Sequence, residues 1–547
     1  MSFDLLNDYQ KNIFKECISK GSGGLSLPKG SGKTLLSLVI SLNQTKNPIL
    51  ILCSKSLIGH WVSEINKFFE DTLNVETVHS SYIKNINQWK IKEDTQIVIT
   101  TPDLIRNIYS KLDLGSHLIT QKFVIHAYVN FYHCPRNPIL HSNIGIASLY
   151  SIKWGCIILD ESQNHLNILS KKGRALCLLS WDHLWLTSGD LHPDGKLNKV
   201  FCYYLMLRLE CPDNIPDFTS YIKNGNFNLN GGLKTTMVHR FTNEAFINKP
   251  KLHHIILDHS MCKEEKLIYT MFRNLVKQFD DKIKQIKNVR AHTGNLHNND
   301  DLVRFSSGLR AMISHLRQSL VSPILPIANS IIKISEVNEK NEIATVINQS
   351  VRELGIYSWL DSEECVKSSR IKKVLEKLNE LSNKQVIIFS AYRTSINILN
   401  HFITDRECFN VHSSMNAKRR EIEINNFKAS TDGVLLLTYA IGSVGLNLQS
   451  CHQVILIDYE WSSHITSQAI CRLYRMGQKS EDVYVYYLTA NTGIEKCILN
   501  KQLQKKKMAD DMFYGRVITI PTKFKIADMV KMVLTEDNIT LLNEIYI

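Results

Sequence analysis

Short apolar runs bounded by polar turn residues recur along the first part of the chain. Gly24 to Leu27, Pro48 to Cys53, Gln96 to Thr101 and Gly155 to Leu159 are nearly continuous in apolar residues, as strands buried on both faces are. Between them the spacing turns helical. Leu6 to Ile18 and Leu35 to Ile40 follow a helical pattern, and Ser56 to Phe68 gathers its apolar residues on one helix face. Strands alternating with helices predict a parallel α/β sheet, with ligands at the carboxyl ends of its strands. From Met261 to about Lys367 long helical patterns take over, broken by the polar stretch His292 to Asp301, which reads as a surface loop. A second strand series follows at Gln385 to Ser390, Gly433 to Leu437 and Gln453 to Asp458. The expected fold is therefore α/β, with two parallel-sheet lobes and a helical insertion between them. The expected boundaries are 1–262 for the first lobe, 263–366 for the insertion, 367–510 for the second lobe and 511–547 for a tail.

Composition narrows this without changing it. With 44% hydrophobic and 21% charged residues over 547 positions, the chain is ordinary globular protein, and disorder is not its default. A formal net charge of +13 favours a polyanionic partner such as nucleic acid, although a solvated basic surface would give the same sum. The thirteen cysteines stand singly with no Cys-x2-Cys pair, which points to reduced thiols rather than to zinc or a disulfide framework. Met1-Ser2-Phe3-Asp4 does not open a signal peptide, and the apolar runs are too short to span a bilayer. The expectation is a soluble intracellular protein with no membrane partner. The basic tract Lys501 to Lys507 reads equally as a solvated helix end or an import signal.

The chemistry is concentrated in three places. In Leu27-Pro28-Lys29-Gly30-Ser31-Gly32-Lys33-Thr34, the small residues Gly30, Ser31 and Gly32 let backbone N–H groups close around a polyphosphate. Lys33 adds a point charge, and the Thr34 hydroxyl is placed to ligate Mg²⁺. Leucine at position 27 stands where the usual pattern has glycine, and a flexible loop is the plain alternative. Asp160-Glu161 ends a hydrophobic strand, where Asp160 would hold Mg²⁺ and Glu161 would orient or deprotonate the attacking water; an acidic turn is the plain alternative. Arg472 and Arg475 are three apart, hence predicted on one helical face, from which both reach a phosphate; a solvated helix surface is the alternative. Upstream, the Gln10 amide both donates and accepts, so it is able to read an adenine edge.

From about Leu6 to Gln502 the sequence resembles the Snf2-type branch of the superfamily 2 helicase-like ATPases. Leu6 to Gln10 is similar to the leading Leu-x-x-Tyr-Gln, and Gly30 to Thr34 to motif I. Ser56-Leu57 with Trp61, Glu64 and Phe68 resembles motif Ia, Asp160 to Gln163 motif II, and Leu186 to Gly189 motif III. Leu316-Arg317-Gln318 with Pro323 resembles the segment between the lobes. Ile388 to Ser390 resembles motif IV, Gly442 to Leu448 motif V and Gln468 to Gln478 motif VI. Leu27-Pro28-Lys29 replaces the family's Asp-Glu-Met, Ser188-Gly189-Asp190 stands for Gly-Thr-Pro, and Ser413 stands where glycine is common.

The resemblance implies two RecA-like lobes, ATP and Mg²⁺ as cofactors, and translocation on double-stranded DNA, with nucleosomes or DNA-bound proteins as further partners. It implies Lys33, Asp160, Glu161, Arg472 and Arg475 as catalytic residues, with Thr34 and Asp160 at the metal. Nucleotide contacts would come from Gln10, Gly30, Ser31, Gly32, Lys33, Thr34, Gly445, Asn447 and Gln468, and nucleic-acid contacts from Ser56, Thr100, Thr101, Ser390 and Thr438. A strand-separating DNA or RNA helicase and a catalytically weak scaffold are the competing functions. The expected location is intracellular: the nucleus if the source is eukaryotic, or a viral replication site or virion if the Asn-, Ile- and Lys-rich composition reflects a large DNA virus.

Overall fold

A computed structural model describes residues 2–27, 31–70, 72–111, 148–189, 197–212, 214–224, 235–239, 250–293, 299–328, 342–412, 414–442, 446–475, 478–514 and 526–534. The chain divides into two compact units, Met1–Asn248 with Lys505–Ile520, and Lys249–Gln504 with Pro521–Ile547.

Among the described residues the first unit is built on seven parallel strands, β1 (Gly23–Ser26), β2 (Ile49–Leu52), β3 (Val75–Thr77), β4 (Ile97–Thr100), β5 (Lys153–Leu159), β6 (Ser180–Ser188) and β7 (Met237–His239). Their spatial order is β3-β4-β2-β5-β6-β1-β7. Every residue of β1, β2 and β4 is buried, because helices cover both faces of the sheet. The two-residue period of β2 makes this visible. Ile49 and Ile51 join Leu36, Val39, Trp61 and Ile65 on one side, whereas Leu50 and Leu52 join Ile105, Trp154 and Phe201 on the other. The unit's helices include α1 (Asp8–Lys20), α2 (Lys33–Gln44), α3 (Ile58–Phe69), α4 (Pro102–Lys111), α5 (Lys171–Cys177) and α6 (Leu197–Met206). Helix α1 opens on a capping box made by Asn7 and Gln10.

The second unit holds six parallel strands, β8 (Lys251–Asp258), β9 (Val386–Ser390), β10 (Cys408–Val411), β11 (Val434–Thr438), β12 (Gln453–Leu456) and β13 (Asp482–Thr489), in the order β10-β11-β9-β12-β13-β8. Strand β8 corrects the expected boundary at 262. It pairs along its whole length with β13, from Lys251 opposite Asp482 to Asp258 opposite Thr489, so the second unit begins before it. Its partner lies too far along the chain for a local pattern to disclose.

The expected helical region is present as α7 (Lys263–Thr293), α8 (Asn299–Val321) and α9 (Glu342–Leu354). Helices α7 and α8 lie antiparallel, with Phe279 against Phe305 and Phe272 against His315. Phe279 also fills the space over Gly308, where a Cβ would sit 2.3 Å from its ring. Of the predicted surface loop His292 to Asp301, residues 294–298 lie outside the described residues, while its two ends are helical, in α7 and α8. This region is not a separate layer: Phe272, Leu275, Leu309 and Leu316 share one core with Ile387, Phe389, Leu435 and Leu437 of the sheet.

Further helices are α10 (Ser369–Glu380), α11 (Arg393–Phe402), α12 (Ala417–Ala429), α13 (Ser463–Ile470), α14 (Gly493–Tyr514) and α15 (Ile526–Leu534). The expected tail from 511 therefore begins inside α14. A buried ion pair ties α10 to α14, with Arg370 Nη2 at 2.5 Å from Glu495 Oε1. Arg370 also donates to the Ile457 carbonyl and to His259 Nε2, both at 2.9 Å. Among the described residues no helix is long and apolar enough to cross a membrane.

Candidate functional site

The phosphate loop enters α2 at Gly32, whose φ of +74° is left-handed and which offers no side chain to cap the helix. The first N–H groups of α2 are thus left for a ligand. Glycine is required twice over, since a Cβ here would also lie 2.4 Å from Gln10 Nε2. Gln10 itself is buried. Its Nε2 donates to the Ser31 carbonyl at 3.0 Å, and its Oε1 accepts from Asn7 N at 3.1 Å. Both ends of the amide are used on the protein, so in this structure Gln10 braces the loop instead of offering an adenine-reading edge. Lys33 Nζ donates to the Leu27 carbonyl at 3.0 Å. Ser31 Oγ is buried with no hydrogen-bond partner among the described residues, and a phosphate oxygen fits that unmet donor. Gly30 lies outside the described residues.

Strands β5, β6 and β1 are neighbours, with Leu159 opposite Leu186 and Leu25 opposite Thr187. Their carboxyl ends therefore present Asp160, Thr187 and the phosphate loop in a row, across about 10 Å at the usual strand spacing. Asp160 is packed by three donors: Trp61 Nε1 at 3.0 Å on Oδ2, and Thr187 Oγ1 at 3.1 Å and Glu161 N at 3.0 Å on Oδ1. Burial and the adjacent Glu161 push its carboxyl above the usual range, against the pull of Trp61, Thr187 and Lys33. A buried carboxylate pressed by a second one is a site that welcomes a cation, and Thr34 opens the helix that leaves the loop. Among the described residues no cluster of three or more His, Cys, Asp or Glu is arranged to hold a metal. The donor set thus suits an ion that borrows most of its ligands from phosphate and water, as Mg²⁺ does. Glu161 sits at φ 46°, a strained conformation for a side-chain-bearing residue. Gln163 Nε2 donates to its Oε2 at 2.5 Å. The parts played by Trp61, Thr187 and Gln163 were not read from the sequence; each belongs to a motif, but only the fold shows what it touches.

Arg472 and Arg475, in the second unit, do not share a helix face. Helix α13 ends at Ile470, and the next residues turn through bonds such as Arg472 N to Ala469 O and Tyr474 N to Ile470 O. Arg475 is half-buried, with Nε donating to Cys471 O at 3.0 Å and Nη2 to Leu446 O at 3.3 Å. Burial lowers the proton affinity of its guanidinium. Leu448 N donates to the Arg472 carbonyl, which knits this turn to the segment around Asn447. Asn447 is exposed and accepts from Gln449 N. Gln468 is buried, with its amide 2.8 Å from His464 Nε2. Gly445 lies outside the described residues.

Most of the expected nucleic-acid residues require correction. Thr100, Thr101 and Ser390 are buried and their hydroxyls are committed. Thr100 donates to Val78 O, Thr101 accepts from Leu104 N at the start of α4, and Ser390 donates to Asp458 Oδ2. Thr101 thus caps the turn that follows it, whereas Thr100 and Ser390 are drawn inward by acceptors 22 and 68 positions away in the chain. Thr438 is also buried, and only Ser56 is exposed. The charge that suits phosphate stands elsewhere, around exposed Ser414. Arg393 Nη1 donates to its hydroxyl at 3.2 Å, and His412 Nδ1 lies 2.8 Å from it. Burial and then Arg393, Arg419 and Arg420 hold the His412 ring below its usual proton affinity. Sequence reading passed over this group because its members come from β10, α11 and α12.

The family model described as SNF2-related domain matches residues 16–323, and that of the helicase conserved C-terminal domain matches residues 367–477. The chain belongs to the SNF2-related family. It is accordingly an ATP-binding, helicase-like ATPase of superfamily 2, and its two parallel sheets are RecA-like lobes. The SNF2 chain is 26% identical over 572 residues to the 172L protein of Invertebrate iridescent virus 6, which carries a helicase name; the match covers 93% of this chain and 89% of that one. It is 22% identical to Transcription termination factor 2 of Drosophila melanogaster, over 88% of this chain and 50% of the relative. It is 23% identical to the ISWI chromatin-remodeling complex ATPase ISW2 of Saccharomyces cerevisiae, over 92% and 40%. The SNF2 chain thus spans half or less of the latter two relatives.

Proposed function

We propose that this SNF2 chain is an ATP-driven motor that translocates on double-stranded DNA. In this reading Lys33 and the N–H groups of Ser31 to Thr34 hold the β- and γ-phosphates, and Ser31 Oγ gains the acceptor it lacks. Asp160 and Thr34 are the residues that would hold Mg²⁺, whose chemistry when bound is to draw charge off the phosphates. Glu161, steered by Gln163, aligns a water for in-line attack and takes its proton. Arg472 and Arg475 stabilise charge on the transferring phosphoryl group; among the described residues, Arg475 spends two of its five N–H donors on backbone carbonyls.

The observation that carries the nucleic-acid half is the group Arg393, His412, Arg419 and Arg420, which has no carboxylate ion-paired to it among the described residues. Phosphate contacts hold a strand without reading its bases. Binding should therefore be nearly sequence-independent and fall steeply with salt. A triplex-displacement assay beside a forked-duplex unwinding assay tests the reading. ATP-dependent displacement of the third strand without unwinding is expected; efficient unwinding with no displacement would refute translocation in favour of strand separation.

A further inference from the structure

The Leu316-Arg317-Gln318 segment is left without a task by the site described above, yet its arginine sits where three segments of the second unit meet. Arg317 projects from α8, and its Nη2 donates to the Tyr459 carbonyl at 2.6 Å. The guanidinium carbon lies 5.6 Å from the Tyr392 ring centroid and 5.3 Å from that of Trp461, so two aromatic rings attract the same cation. Tyr392 follows β9, while Tyr459 and Trp461 lie in the connection from β12 to α13. The carboxyls nearest by are Asp458 and Glu460, both pushed up by burial and both pulled back down by Arg317. Asp458 in turn accepts from Ser390 Oγ and Ala391 N. Lys501 Nζ, 5.0 Å from the Trp461 ring centroid, is the neighbouring cation.

This arrangement is not needed to hold α8 in place, because Leu309, Met312, Leu316 and Leu320 already bury that helix. What Arg317 fixes is the short stretch Asp458 to Trp461, and that stretch runs directly into α13, whose far end delivers Arg472 and Arg475. We infer that Arg317 is a positioning residue for ATP hydrolysis: it clamps the root of α13 to the helical pair and so sets where the two downstream arginines stand. The inference rests on the proposed role of Arg472 and Arg475. Lysine is a poor replacement, since its compact ammonium lacks the spread of donors and charge with which the guanidinium reaches two rings and a carbonyl at once.

The test uses the full chain and compares wild type, Arg317→Ala, Arg317→Lys and Arg475→Ala for steady-state ATPase with and without duplex DNA, KM for ATP and thermal unfolding. A displaced catalytic group costs up to about a hundredfold in rate. Arg317→Ala should therefore lose between about tenfold and a hundredfold in kcat. Its KM should stay within about twofold, the kcat loss should persist at assay temperatures well below its unfolding transition, and Arg317→Lys should recover little. A kcat near wild type in Arg317→Ala while Arg475→Ala is impaired overturns the positioning role alone. A wild-type kcat in Arg475→Ala overturns the arginine assignment, and this inference with it. A loss in Arg317→Ala that only tracks a lowered melting temperature shows a purely structural residue and also overturns it. Should Arg317→Ala fail to fold, Arg317→Lys is judged by the same criteria.

Discussion

Gly32→Ala tests the phosphate loop most directly, because two separate penalties meet at one atom. A left-handed backbone costs an L residue about 1–2 kcal/mol. The added methyl would also stand 2.4 Å from Gln10 Nε2, which forces the amide to turn away and give up its bond to the Ser31 carbonyl, worth about 1 kcal/mol. Together these predict a loss of about 2–3 kcal/mol in the first unit. Gln10→Ala empties the space, so in that background Gly32→Ala should cost only the backbone share, about 1–2 kcal/mol. The difference, about 1 kcal/mol, is the coupling energy of a double-mutant cycle. Urea unfolding followed by tryptophan fluorescence is the assay, since five of the seven tryptophans (Trp61, Trp89, Trp154, Trp181 and Trp185) lie in the first unit. Equal costs with and without Gln10 would refute the brace, and a cost near zero would refute the left-handed geometry as well.

Glu161→Gln should still bind ATP, measured with a fluorescent analogue, while kcat falls by about 10²–10⁴ because an amide takes no proton; undiminished turnover would remove Glu161 from the chemistry. Asp160→Asn should abolish hydrolysis without raising the melting temperature of the nucleotide-free protein, because its NH₂ would face one of the three donors that Asp160 accepts. A variant more stable than wild type at pH 7 would contradict that donor set. His259 is held down to about 2 by burial and by Arg370. Its contribution is complete above about pH 6.5 and is lost as pH falls, by up to about 1.4 kcal/mol per unit. His259→Gln keeps an acceptor for Arg370 and should flatten the urea midpoint of the second unit between pH 7 and 5; an unchanged slope would place the proton uptake elsewhere.

What was legible follows from how local each signal is. Runs such as Ile49 to Leu52 and Ile97 to Thr100 declare themselves, because strands covered on both faces must be apolar throughout. The phosphate loop and Asp160-Glu161 were legible for the same reason: their chemistry is held in consecutive residues. Thr100 and Ser390 misled, since sequence gives the hydroxyl but not its direction, and acceptors distant in the chain, the Val78 carbonyl and the Asp458 carboxylate, claim it. Arg472 and Arg475 misled through spacing, because three residues make one helix face only where the helix continues past Ile470. Trp61 on Asp160, and Arg317 between Tyr392 and Trp461, join segments from about 75 to about 145 positions apart in the chain. No local pattern encodes such meetings.

Strand β8 also sets a clock for synthesis. Lys251 and Asp482 are 231 positions apart, so at ribosomal speeds of about 5–20 residues per second the strand waits roughly 10–50 s for its partner to be made. During that interval Leu252, Ile255, Ile256 and Leu257 stand on a ribbon with neither edge paired, able to join any other open edge. The second lobe cannot close its sheet until nearly all of its chain has been translated. A fragment beginning at 263 would never close it, since β13 would present to solvent the edge that β8 covers. Slowing translation just after Asp258 should therefore lower soluble yield more than slowing it just after Thr489.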